Sequence, residues 1–141
     1  MAYSTQLIFL KGSLTNAQIK ALRGTPVQVI AAPGAGKVIC VQQVQAKMVY
    51  GGSNVFTAGA AQTINFYYAT TTSIAVALTN ANIVAASTQF SAPTISAQTA
   101  INTTFDNVAV NLYNTVATEI TGNVANNNTM TYQIVYSIVA I

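Results

Sequence analysis

The last stretch of the chain alternates without a break. Met130, Tyr132, Ile134, Tyr136, Ile138 and Ala140 hold every second position, with Thr131, Gln133, Val135, Ser137 and Val139 between them. A period of two is the pattern of a strand that turns one face to a core. Toward Ile141 the intervening residues become apolar as well. This end is therefore expected to be buried on both faces, in a sheet interior or in a contact between subunits.

The same reading runs upstream. Tyr3 to Leu10, Val27 to Ile30, Val38 to Tyr50, Ile64 to Ala69, Ile74 to Leu78 and Ile83 to Ala85 are strand candidates. So is the alternation Val108, Val110, Leu112. Gln42, Gln43 and Gln45 interrupt the long candidate after Val38. Turn chemistry separates the runs at Ala32-Pro33-Gly34-Ala35-Gly36, Gly51-Gly52, Asn80-Ala81-Asn82, Gly122-Asn123 and Asn126-Asn127-Asn128. Between Ala86 and Thr104 the chain is rich in Ala, Ser and Thr, and only Phe90, Ile95 and Ile101 hint at edge strands or loops. Val, Ile and Thr make up a third of all residues, which suits pleated strands and disfavours long helices.

One helix is expected. Thr15 and Gln18 have the spacing of a capping box, and Leu14 and Ile19 that of a hydrophobic staple. Gly24 and Pro26 should end it after about two turns, too short to stand without a sheet beneath it. The expected fold is all-β: a jelly-roll-like β-sandwich or barrel with one short N-terminal helix. Residues 1–141 read as a single domain, with 1–26 a strand and short helix packing on it.

Composition narrows the chemistry. Only 5% of the residues are charged and 52% are hydrophobic. There is no His, so no imidazole base or ligand. Asp106 and Glu119 are the only acids and Cys40 the only thiol, a poor supply for a metal site and none for a disulfide framework. The two carboxylates read as solvated surface groups, and Cys40, between Ile39 and Val41, as buried and inert. No catalytic, cofactor-binding or metal-binding residue is expected, and no cofactor. Few groups titrate between about pH 5 and 8, so stability should change little there. No run is long enough for a membrane span, and no signal core is expected.

The string Ala31-Ala32-Pro33-Gly34-Ala35-Gly36-Lys37-Val38 imitates a phosphate-binding loop. Ala31 stands where the pattern wants Gly, and Val38 where it wants a magnesium-holding Ser or Thr. A strand-like run follows, where phosphate binding needs a helix N-terminus. A tight β-turn is the expectation and an NTPase site the alternative. Phe66-Tyr67-Tyr68 reads as core or interface packing, with sugar stacking the alternative.

Lys11, Lys20, Arg23, Lys37 and Lys47 all lie in the first third of the chain, and both acids in the last. This suggests a basic face for an acidic partner, with Lys11, Lys20 and Arg23 its leading residues. The basic residues are scattered, without interleaved aromatics, so nucleic acid is not the expected partner. So apolar a chain with so few ions is expected to hide surface between copies, as a homo-oligomer.

Two stretches carry a resemblance. Ile19 to Val27 (Ile-Lys-Ala-Leu-Arg-Gly-Thr-Pro-Val) and Val29 to Ile39, with its Pro33-Gly34-Ala35-Gly36-Lys37 turn, resemble a recurring opening in small tailed-bacteriophage and prophage virion proteins. Ile120-Thr121-Gly122-Asn123 and Met130 to Val139 resemble their close, with Asn123 in place of a second Gly. The likeness covers both ends and leaves the middle unmatched. It implies a jelly-roll-type virion component, a capsid cement or decoration protein, often a homotrimer, with no catalytic residues to transfer. The expected partners are sister subunits and the major capsid protein or other virion proteins, with no nucleic acid and no membrane. The expected location is the virion, after synthesis in the host cytoplasm. A tail, neck or head-fibre component and a carbohydrate-binding host-adhesion module are the alternatives.

Overall fold

The computed structural model describes residues 6–95 and 103–141. Among the described residues, eleven strands run in chain order: β1 (Ile8–Leu14), β2 (Val27–Ile30), β3 (Lys37–Val49), β4 (Phe56–Thr57), β5 (Ile64–Tyr68), β6 (Thr72–Leu78), β7 (Gln89–Phe90), β8 (Thr94–Ile95), β9 (Val110–Asn114), β10 (Thr121–Gly122) and β11 (Thr129–Ala140). Two short helices, α1 (Asn16–Lys20) and α2 (Asn80–Ile83), and a 3-10 turn at Thr103–Phe105 complete it. One sheet has the order β1-β11-β3-β7, with β8 also on β3; the other has the order β2-β9-β5-β6. β4 and β10 form a small ladder of their own. Every pairing is antiparallel.

The two main sheets face each other across one apolar cluster. Leu14, Met130, Ile134, Val44 and Met48 come from the first; Ile64, Phe66, Val110, Leu112 and Ala77 come from the second. Two aromatic contacts join the layers. The Phe66 ring stands edge-on to Tyr132, 5.9 Å between centroids. The Tyr68 hydroxyl donates to the Ile39 carbonyl at 2.6 Å. The architecture is thus an antiparallel β-sandwich.

The long β3–β11 ladder shows how the sequence pattern becomes a face. β11 turns Met130, Tyr132, Ile134 and Tyr136 inward in an unbroken alternation. β3 turns in Met48, Ala46 and Val44, then Val41 and Ile39, so its inward set changes parity. The register absorbs this: Val135 faces Gln43 and Tyr136 faces Val41, leaving Gln42 as the extra residue of a β-bulge. The exposed pair Gln42-Gln43 is the sequence mark of that bulge.

α1 begins as expected. The Gln18 amide N–H donates to the Thr15 hydroxyl, and the Thr15 N–H donates to Gln18 Oε1 at 2.9 Å. Leu14 and Ile19 are both buried. The helix is shorter than expected, and Ala21 rather than Gly24 stands at its C-cap.

Several expectations need correction. β1 runs on through Lys11, Gly12 and Ser13 to Leu14, because β11 pairs with it over that whole length; the proposed start at Tyr3 lies outside the described residues. Ile83 to Ala85 is not a strand. The Asn80-Ala81-Asn82 segment expected as a turn is the helix α2, which Thr79 opens by donating its N–H to Asn82 Oδ1 at 3.1 Å. The fold therefore has more than the one helix expected. Finally, the chain end is not a sheet interior: within the single chain Ile138 is 40% and Ile141 50% exposed, although Val38 to Val41 beside it are buried on both faces, and of the two expectations for this end only a contact between subunits is left. Of the residues singled out between Ala86 and Thr104, Phe90 lies on β7 and Ile95 on β8, whereas Ile101 lies outside the described residues.

β1 carries a close approach that only glycine allows. Gly12 sits opposite Tyr132, and a Cβ there would lie 2.2 Å from the phenol oxygen and 2.3 Å from the ring carbon bearing it. Gly12→Ala is expected to cost about 1–3 kcal/mol by overpacking, because the buried Tyr132 ring must shift to admit the methyl group. Urea unfolding measures this, and the cost should shrink in a Tyr132→Leu background, as a double-mutant cycle would read it.

Candidate functional site

The loop that imitates a phosphate cradle is closed by the chain itself. Gly34 and Gly36 adopt left-handed φ values of 97° and 75°, which gathers their N–H groups on one side. The Gly36 and Lys37 amides donate to Asp106 Oδ1 at 2.7 and 3.1 Å, and the Gly34 amide to Asn107 Oδ1 at 2.9 Å. Any phosphate on these amides would have to displace the carboxylate of Asp106. Lys37 opens β3 rather than a helix, so no helix dipole points at the turn.

Glu119 does the same work elsewhere. Its two oxygens accept from the Arg23 amide at 2.9 Å and the Gly24 amide at 2.7 Å, closing the turn after α1. The two carboxylates expected as free surface groups are therefore turn ligands, each at a different turn. Nothing in the local sequence announced this, because the amides they hold lie some 70 to 96 residues away along the chain.

Cys40 is buried opposite Ser137 in the β3–β11 ladder. Burial raises its thiol above the ordinary value of 9.0, away from the reactive thiolate. Burial also raises the Tyr132 phenol above 10.0. Both groups hold their protons in the fold at pH values where the unfolded chain has begun to lose them. Their contribution to stability is complete below the unfolded values and is lost as pH rises through the higher folded ones. The melting temperature is expected to hold from about pH 5 to 8 and to fall above about pH 9. Part of that alkaline fall should vanish in Cys40→Ala.

The aromatic triplet splits between the faces. Phe66 and Tyr68 point into the core, where Tyr68 also packs on Phe105 at 4.5 Å between centroids. Tyr67 points outward, edge-on to Tyr113 at 5.4 Å, and the Arg23 guanidinium lies 5.0 Å over the Tyr113 ring. Among the described residues, no group of three from His, Cys, Asp and Glu gathers as a metal site, and no helix is long and apolar enough to cross a membrane.

The five basic residues do not form one face. Arg23 sits against Tyr113 beside the second sheet, Lys20 packs beside Gly122, and Lys37 begins β3. Lys11 and Lys47 share the outer face of the first sheet. The cross-strand registers lay this face out in rows. Phe9, Val135 and Gln43 form one; Lys11, Gln133 and Gln45 the next; Ser13, Thr131, Lys47 and Phe90 the third. Phe9 is 75% and Phe90 64% exposed. Lys47 Nζ lies 5.2 Å from the Phe90 ring centroid, at the side of a groove of about 230 Å³ bounded also by Gln45, Thr131 and Gln133. Sequence reading had no hold on Phe9 and Phe90, because period-two strands show which residues share a side but not which side is covered.

Compared with known protein families, characterised proteins and solved structures, the chain matches none.

Proposed function

We propose that this chain is a structural protein of a tailed-phage particle, a capsid cement or decoration protein that works by adhesion. What supports the reading above all is the division of labour among its side chains. Its two carboxylates hold backbone turns and its thiol is buried, while large apolar groups stand in solvent, Phe9, Phe90, Leu7 and Ile141 each at least half exposed. Such a surface gains by being covered, at roughly 25 cal/mol per Å² of apolar area, and small contacts accumulate over many copies. In this reading the sandwich is jelly-roll-like, three copies associate, and the trimer sits on the head shell of the virion. The chain carries out no reaction and uses no cofactor.

The resemblance at both ends of the chain, from Ile19 to Ile39 and from Ile120 to Val139, points the same way. A tail, neck or head-fibre part would use the same adhesive surfaces. Imaging of labelled protein on particles separates the two, since decoration covers the shell and tail parts sit at one vertex. The native mass tests the assembly: three copies of the 14.7 kDa chain are expected, and a single folded copy in dilute buffer would overturn it.

A further inference from the structure

We propose that the outer face of the first sheet is the docking face for an acidic surface on a different protein, not a contact between copies of this chain. The proposal deepens the adhesive reading by naming the face and the partner's chemistry. Phe9 and Phe90 stand out at opposite sides of the four-strand face, with half-buried Val135 between, and give it apolar anchors. Lys11 and Lys47 lie among them, separated by β11, with only Gln, Ser and Thr as their polar neighbours in the cross-strand rows. No carboxylate answers these two charges from within the chain. Asp106 and Glu119 are its only acidic side chains, and each already accepts two backbone hydrogen bonds at a turn.

That last fact chooses the occupant. Two copies meeting through this face would set lysines against lysines, and the two acidic side chains a copy has elsewhere, Asp106 and Glu119, are already held at turns by backbone amides. A partner that brings carboxylates beside apolar residues satisfies both halves of the face, the charges steering encounter and the phenyl rings holding the contact. A single-stranded nucleic acid could stack on the same rings. Two lysines across a sheet neutralise few phosphates, however, and the row between the rings adds only glutamines to Lys11, so the protein partner is favoured.

The probe is a short fluorescein-labelled peptide of glutamates interrupted by leucines, followed by fluorescence anisotropy at low and high salt. An oligothymidylate of equal charge and anionic lipid vesicles serve as competitors. Lys11→Glu with Lys47→Glu is expected to weaken peptide binding about tenfold or more, with Phe9→Ser and Phe90→Ser each weakening it in turn. Lys37→Glu, at the far end of β3, should change it by less than about twofold. All variants should melt like the parent and keep its native mass. The proposal is overturned if the peptide does not bind, if Lys37→Glu matters as much as the pair, or if either competitor is held more tightly on this face. A fall in native mass with Phe9→Ser would make the face a self-contact and overturn it as well. The phage reading fails separately, if the protein ignores phage heads while still holding the peptide.

Discussion

Phe66→Ala should remove about 3–5 kcal/mol from the free energy of unfolding. The ring is fully buried, stands on the central region of the second sheet, and meets Tyr132 of the first edge-on. Truncation takes away its transfer free energy, the aromatic contact, and the support of a cavity wall that two rigid sheets cannot collapse to fill. Domains of this size hold only about 5–15 kcal/mol in total, so the variant should sit near its unfolding midpoint at modest urea. Urea titration followed by circular dichroism reads the loss directly. Phe90→Ala is the contrast: the same side chain, mostly in solvent, should change stability by less than about 0.5 kcal/mol. Equal losses at the two positions would show that the packing between the sheets has been misread.

The second large effect is polar. Asn128 is fully buried, and both ends of its amide are used. Its Oδ1 accepts from the Gly51 amide at 2.8 Å and its Nδ2 donates to the Asn54 carbonyl at 2.9 Å. Its own N–H donates to Asn126 Oδ1 at 3.1 Å, and Asn126 Nδ2 reaches the same Asn54 carbonyl at 2.9 Å. Asn16, at the start of α1, donates to Asn126 Oδ1 and to the Asn128 carbonyl. The cluster thus ties the first helix, the Gly51 turn and the entry to β11 together. Asn128→Ala leaves the Gly51 N–H without its acceptor and takes one donor from Asn54, at an expected cost of about 2–4 kcal/mol. Hydrogen exchange gives a local check, since the Gly51 amide should lose protection before the β3–β11 ladder does. Asn128→Asp should not rescue it, because a carboxylate would face the Asn54 carbonyl. Rescue by Asp would show that the acceptor half alone carries the contact.

The two effects mark how far the linear chain can be read. Met130 and Ile134 are recognisable as core from their alternation, and the capping box of α1 from Thr15 and Gln18. These are local patterns, decided by backbone geometry within a few residues. Asn126 and Asn128 carry turn-former chemistry, which does not say that they are buried anchors. Asn80-Ala81-Asn82 misled for a related reason: Asn suits both turns and helix starts, and the reciprocal bond from Thr79 to Asn82 decides in favour of a helical turn. Ile83 is buried there just as it would have been in a strand, so burial alone could not separate the two.

Of the candidate site, the sequence supplied the residue types and little of their placement. It showed that the chain lacks imidazole and is nearly empty of acids. It could not show that Asp106 and Glu119 are consumed by distant turns, or that Lys11 and Lys47 share a face while Lys20 and Arg23 do not.

By itself, then, the sequence determined most of the long strands, the inward set of β11 as far as Tyr136, and the poverty of reactive groups. Only the tertiary structure decided which backbone turns take up the two carboxylates and where, among the described residues, Phe9 and Phe90 come to stand exposed. The physical reason is range. Alternation and capping act over a few residues of backbone, whereas exposure and the partners of the two carboxylates depend on which distant segments the fold brings alongside.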